Sequence, residues 1–203
     1  QESRDTGYPN DLPIKSYDFR APIREFGEVN DTYRELKLLS YFVHDFGEEL
    51  CAFPAVIPEE NPLAPADTEH LRYSFRSDGK RGYVFVNNYV RHLKMAEHSD
   101  VRLSSPDGET RLASLTVKNG DFFFLPFNMA FGSARVQFAE ATPLCNLGKK
   151  TVFYARDGVD EPRDFFLYCD EQSKTAGAED FIVLSRKDAL NAWRVSGADG
   201  ERL

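Results

Sequence analysis

Sulfur and surplus positive charge are both scarce in this sequence. Among 203 residues there are three cysteines, two methionines and one tryptophan. Cys51, Cys145 and Cys169 are odd in number, far apart and without CxxC spacing. That pattern speaks against a disulfide framework or a zinc knuckle and leaves the thiols as small core hydrophobes. Free thiols suit a reducing compartment, so a cytoplasmic location is expected. No apolar run reaches the roughly 18–20 residues of a membrane span, and no signal-peptide pattern opens the chain. The first residue is Gln1 and not Met, so a processed or excised piece of a longer protein is expected. Lys and Arg number 25 against 33 Asp and Glu, a net charge of −8. Such a surface repels phosphate backbones and anionic bilayers, so neither nucleic acid nor membrane is an expected partner. A neutral sugar is indifferent to this charge.

Several catalytic patterns are missing as well. His44, His70, His92 and His98 have no HExxH or paired CxxC context, so no metal site is expected. A GxSxG elbow and a GxxxxGK[ST] loop are absent, and Gly132-Ser133 reads as a turn. The carboxylate pairs Glu48-Glu49 and Glu59-Glu60 lie at a helix end and in a proline-rich connector. Glycoside hydrolysis needs two carboxyls facing one bond from rigid positions, so these pairs read as solvated charge. No catalytic residue is assigned within the chain.

What is present is aromatic: 17 Phe and nine Tyr, with 41% hydrophobic residues overall. This composition affords a core and favours β structure. Residues 1–13 read as loop and Ile14–Phe19 as a strand. Asn30 or Asp31 starts a helix over about 31–46, with Thr32 and Glu35 at capping-box spacing. Leu36, Leu39, Val43 and Phe46 form its apolar stripe, and Gly47 is its expected stop. Pro54, Pro58, Pro62 and Pro65 mark residues 51–68 as a connector. Strands are expected next at 71–75, 82–87, 121–127, 135–139, 151–155, 165–169 and 181–184, with turns at Ser77–Lys80, Pro106–Gly108 and Asn119-Gly120. Ser185 and Asp188 cap a short helix near 186–193. The expected organisation is 1–50, a connector at 51–68, and an antiparallel β domain over 69–203.

Two segments could touch a ligand. Residues 83–92 combine Tyr83, Asn87, Asn88, Tyr89 and Arg91. Aromatic faces stack on sugar C–H groups and amides hydrogen-bond hydroxyls. A core strand ending in a polar turn explains the same residues and is the favoured reading. The run 122–127 reads as core. In an extended 14–19 segment, Tyr17 and Phe19 share a side, and Asp18 points opposite, toward an Arg or a backbone N–H.

Ser16-Tyr17-Asp18-Phe19-Arg20-Ala21-Pro22-Ile23-Arg24-Glu25 resembles the Ser-Tyr-Asp-Tyr-x-Ala-Pro-[LI]-x-Glu segment of glycoside hydrolase family 35 β-galactosidases. Tyr33–Leu39, Arg81–Tyr89, Asp121–Asn128 and Asp188–Trp193 resemble later segments of that family, in the right order. The resemblance covers about residues 14–195. It implies the last βα unit of a (β/α)8 barrel, whose active site lies at the C-terminal ends of its strands. It further implies that Tyr17 contacts the galactose, while Phe19 stands where the family usually has a second Tyr. Family members are retaining enzymes with two glutamates, which lie upstream of the segments found here, and they need no cofactor.

The expected fold class is therefore α+β, mainly β: a terminal βα unit of a (β/α)8 barrel followed by an antiparallel β-sandwich-like domain. The expected function is part of a retaining β-galactosidase in carbohydrate metabolism, inactive without its upstream barrel. The alternative is a stand-alone carbohydrate-binding or structural β domain. Expected partners are a galactoside in the parent enzyme, the missing barrel, and a second copy through helix 31–46.

Overall fold

One asparagine sets the start of the long helix. Asn30 Oδ1 accepts the N–H of Asp31 at 2.9 Å, satisfying a first-turn donor that no carbonyl can reach. Helix α1 then runs Asp31–Ala52. The computed structural model describes residues 18, 21–61, 64–112, 114–132, 134–156, 166–168, 181–198 and 200–203. It divides into two compact units, 1–37 and 38–203.

Within the first unit, Ile23 and Val29 form an antiparallel bridge. Inside it, Arg24 N donates to Glu28 O and Gly27 N to Arg24 O, both at 2.9 Å. The Asp18 carboxylate accepts the backbone N–H of Glu25. The strand expected at 14–19, with Tyr17 and Phe19, lies outside the described residues apart from Asp18.

Helix α1, whose residues from Leu38 onward belong to the second unit, differs from its expected form in two ways. It passes through Gly47 and continues to Ala52. A Cβ on Gly47 would stand 3.2 Å from Val43 Cγ1, so this glycine makes room inside the helix and does not end it. The inward face also differs. Leu38, Phe42 and Phe46 are buried, at 3%, 1% and 9% exposure, whereas Leu36, Leu39 and Val43 remain 47%, 49% and 47% exposed. The expected stripe contributes only Phe46. Both rows have helical spacing, so periodicity could not choose between them.

The remainder is mainly β, in several sheets. The strands are β1 (Ala55–Val56), β2 (Arg72–Ser77), β3 (Gly82–Asn87), β4 (His98–Val101), β5 (Leu115–Val117), β6 (Phe122–Phe131), β7 (Ala134–Ala139), β8 (Ala141–Leu147), β9 (Lys150–Ala155), β10 (Phe166–Tyr168) and β11 (Phe181–Leu184). Helix α2 (Arg186–Asn191) precedes β12 (Val195–Gly197) and β13 (Gly200–Arg202). The largest sheet has six strands in the order β1-β2-β3-β6-β7-β10, all antiparallel. A second has the order β11-β9-β8. There β8 and β9 are antiparallel but β11 runs parallel to β9, a departure from the expected all-antiparallel domain. β4 pairs with β5, and β12 with β13. Ser185 caps α2 as expected, its side chain accepting Asp188 N.

Side-chain alternation gives the six-stranded sheet a core on each face. Tyr83 packs with Phe42, Phe46 and Phe53, joined by Met129, Phe131, Val136 and Phe153. Val84, Val86 and Leu125 pack with Leu103, Leu112, Leu115 and Val117 on the other side. A third cluster joins Leu38 to Leu144, Cys145, Val152, Tyr154 and Ala189. The helix is seated by rings: Phe42 lies 5.3 Å from Tyr83 edge-on and 4.5 Å from Phe124, and Phe46 lies 5.9 Å from Phe131. Asn128 adopts φ 51°, a left-handed conformation that Asn tolerates better than most residues. Its amide donates to Lys80 O at 2.6 Å and Thr110 Oγ1 at 2.7 Å.

Strand β8 has no counterpart in the sequence reading, and it carries Pro143, a residue that paired strands usually exclude. The pairing resolves this. The register with β9 shifts between Pro143 and Cys145, a bulge where a missing N–H is tolerated.

The helix face can be tested directly. Phe42→Ala is expected to cost about 3–5 kcal/mol in urea unfolding, and Leu39→Gln to stay within about 0.5 kcal/mol. The opposite ranking would mean that the helix docks by its other row.

Candidate functional site

The five residues 83–91 singled out in the sequence divide into two groups. Tyr83 belongs to the core, with its ring against Phe42, Phe53 and Phe124. Burial pushes its phenol well above the usual range, and its hydroxyl has no partner among the described residues. Asn88 is also fully buried. Its Nδ2 donates to Ala96 O at 2.8 Å and Lys118 O at 3.0 Å. Its backbone N donates to Asp121 O at 2.7 Å, and its carbonyl accepts Gly120 N at 2.9 Å. One side chain and one peptide unit thus tie the loop after β3 to the turn before β6. Neither Tyr83 nor Asn88 is available to a ligand.

Asn87, Tyr89 and Arg91 are exposed. Asn87 Oδ1 accepts the Tyr89 N–H at 3.1 Å, which fixes where the tyrosine leaves the sheet. Asn87 stands opposite Phe122 in the β3–β6 pairing, and opposed residues share a sheet face. Phe122 is 63% exposed and Tyr89 53%. Phe122 was expected in the core. It is the first residue of its strand, directly after the Asn119-Gly120 turn, so the sheet ends before anything covers it. That end-of-strand position was the one signal in the sequence that could have marked it.

The other polar groups serve the fold. Asp45, its side chain 7% exposed, accepts two bonds from Arg194 Nη1 at 2.8 and 2.9 Å, Asn146 N at 2.7 Å and His44 Nδ1 at 2.7 Å. Arg194 Nη2 reaches Glu201 at 2.5 Å, and Arg194 N donates to the Tyr41 hydroxyl at 2.9 Å. Burial raises the Asp45 carboxyl, but the Arg194, Asn146 and His44 bonds outweigh it and hold it below the ordinary range. Arg156 Nε donates to Glu140 Oε1 at 2.8 Å, Nη2 to Thr116 O at 2.9 Å, and the guanidinium lies 4.6 Å from the Phe123 ring centroid.

The glutamate pairs are dispersed: Glu49 faces Arg81 at 3.1 Å and Glu60 accepts the Tyr73 hydroxyl at 3.0 Å. Glu140 and Asp121 both answer to Arg156. Burial pushes the Cys145 thiol up to about 11, leaving it protonated and unreactive. Cys51 is exposed, and Cys169 lies outside the described residues. No group of three or more His, Cys, Asp or Glu among the described residues could hold a metal ion. No helix among them is long and apolar enough to cross a membrane. Comparison of the chain with protein-family models, curated proteins and solved structures gives no match. The surface around Asn87, Tyr89 and Phe122 is the candidate contact site.

Two substitutions check these assignments. Asn88→Ala is expected to cost about 2 kcal/mol, because it removes the partner of two part-buried carbonyls, and Asn87→Ala less than about 0.5 kcal/mol, both read by urea unfolding. Asp45 makes stability pH-dependent. Its folded-state carboxyl is depressed, so its contribution is full above the ordinary carboxylate value of about 3.9 and is lost as pH falls through the lower folded value. Asp45→Asn is expected to cost about 2–3 kcal/mol at pH 7. Its thermal midpoint should then fall less than the parent's from about pH 5 to 3. Parallel curves would show that the Asp45–Arg194 pair does not carry the acid sensitivity.

Proposed function

We propose that this chain is the C-terminal part of a family 35-like β-galactosidase: the last βα unit of a barrel followed by an accessory β domain. The observation that supports this best is the second apolar row of α1. Leu36, Leu39 and Val43 are each about half exposed, although the neighbouring row, about a quarter-turn round the helix, already seats the helix on the β domain. A helix apolar on two faces belongs inside something larger, and a barrel's last helix requires one face for the barrel and one for the neighbouring domain. Isolated from its barrel, the chain is expected to self-associate through this row. The cores on both faces of the six-stranded sheet are consistent with a sandwich-like accessory domain that buttresses the barrel.

In the complete enzyme, the role that the resemblance implies for Tyr17 is contact with the terminal galactose, and Phe19, lacking a hydroxyl, cannot donate the hydrogen bond of the Tyr usual at that position. Two upstream glutamates about 5–5.5 Å apart perform the chemistry. One attacks the anomeric carbon while the other protonates the departing oxygen. Water then releases galactose from the covalent intermediate with the second residue acting as base. No cofactor takes part.

The test uses the complete protein that carries this segment, with an aryl β-galactoside. The expected result is hydrolysis with the β-anomer as first product in proton NMR, and no turnover by residues 1–203 alone. Tyr17→Phe is expected to lower kcat/KM by about 10–100-fold through loss of one hydroxyl contact. A complete protein inactive on β-galactosides, or turnover by the 203-residue chain, would overturn the proposal.

A further inference from the structure

Asn119-Gly120 is the one Asn-Gly step in the sequence, and the fold places it in the middle of a tight turn. Asp121 N donates to Lys118 O at 3.2 Å, and Gly120 adopts φ 92°. Asn119 is exposed, and a Cβ on Gly120 would meet nothing within 4 Å among the described residues, so water reaches this peptide. The pair carries a chemistry of its own. An asparagine carboxamide carbon can be attacked by the next backbone nitrogen, and glycine offers that nitrogen with no side chain to hinder it. Ring closure needs the two in near-attack contact. Here both groups are held elsewhere. The Gly120 N–H donates to Asn88 O at 2.9 Å, and Asn119 Oδ1 accepts Met95 N at 2.8 Å. Asn88 and Met95 both belong to the loop after β3. Lys118 O, which closes the turn, also accepts Asn88 Nδ2 at 3.0 Å, so one tie governs both reacting groups.

We propose that Asn119 is a self-modification site, a succinimide-forming asparagine held unreactive by the tie between the loop after β3 and its own turn. When the tie opens, Gly120 N bonds to Asn119 Cγ and the Cγ–Nδ2 bond breaks. Nδ2 leaves as ammonia, taking the proton that Gly120 N gives up. Water from the solvent then opens the five-membered ring at either carbonyl, giving aspartate or isoaspartate. Both products add one negative charge to a chain already at −8. Isoaspartate also routes the main chain through the side-chain carbon, which lengthens the turn between β5 and β6 and displaces Gly120 N from Asn88 O. The conversion is one-way, so product accumulates with the time the tie spends open. Local openings span free energies up to that of global unfolding, and the rate reports where this one lies. The chemistry needs neither a ligand nor an upstream barrel, so it stands apart from the galactosidase reading.

The test incubates the 203-residue chain folded and, in parallel, unfolded in guanidinium chloride at the same pH and temperature. Mass spectrometry of peptides spanning 118–121 follows asparagine, aspartate and isoaspartate. The unfolded chain is expected to convert Asn119 ahead of its other asparagines, and the folded chain to do so at least about 10-fold more slowly. Asn88→Ala, under conditions where it remains folded, is expected to raise the folded-state rate about 3- to 10-fold. Hydrogen exchange at the Gly120 amide of the parent gives a reading that needs no variant, and protection by a similar factor is expected. A folded chain that reacts as fast as the unfolded one would overturn the proposal. So would an unprotected Gly120 amide, an Asn88→Ala rate equal to the parent's, or an unfolded chain that leaves Asn119 intact.

Discussion

The seating of Phe42 on the six-stranded sheet is the contact on which the rest of this structure depends. Its ring meets Tyr83 from β3 and Phe124 from β6, the adjacent strands at the middle of that sheet. Each such pair adds about 0.5–1.5 kcal/mol beyond the area it buries. The contact requires Tyr83 to be wholly buried, which is why its hydroxyl is sacrificed and its phenol perturbed. It also fixes which row of α1 faces inward, and so leaves Leu39 and Val43 outside.

Polar groups complete what the rings begin. Asp45 leaves the inward side of the same helix and collects Arg194, the Asn146 N–H and His44. One carboxylate thus ties α1 both to β8 and to the chain leading into β12. A partly buried pair of this kind offsets its own desolvation only when its remaining lone pairs and protons are satisfied; both Asp45 oxygens are engaged, whereas Arg194 Nε is buried without a partner among the described residues. Asn88 plays an equivalent part without charge, between the loop after β3 and the turn before β6. The two ties differ in consequence: the first is charged, with its carboxyl held below the ordinary range, and the second joins the loop after β3 to the turn before β6.

Much of the β architecture was legible in the sequence because its signals were local. The Ser77–Lys80 turn and alternating residues gave β3 its bounds, and Ser185 with Asp188 gave the cap of α2. The misreadings have physical reasons. Gly47 was taken for a helix end, but its lack of a side chain accommodates Val43. β8 was not expected at all, and its Pro143 is accommodated only by the bulge beside it. The inward row of α1 could not be chosen by spacing, since Leu36–Leu39–Val43 and Leu38–Phe42 are both apolar rows at helical spacing. The candidate site was half legible: Asn87, Tyr89 and Arg91 reach the surface, Tyr83 and Asn88 belong to the scaffold, and the exposure of Phe122 depends on where the sheet ends. The parallel pairing of β11 with β9 left no trace in alternation, which is the same for either direction.

The claim that organises all of this is that α1 is part of the β domain's own core, with a second apolar face left over. Amide hydrogen exchange over residues 38–52, compared with β3 and β6, addresses it most directly. If Phe42 and Asp45 hold the helix as described, its amides exchange only through the same global opening as the sheet, at the same free energy. Exchange of the helix through a separate, lower-energy opening while the sheet stays protected would contradict the account.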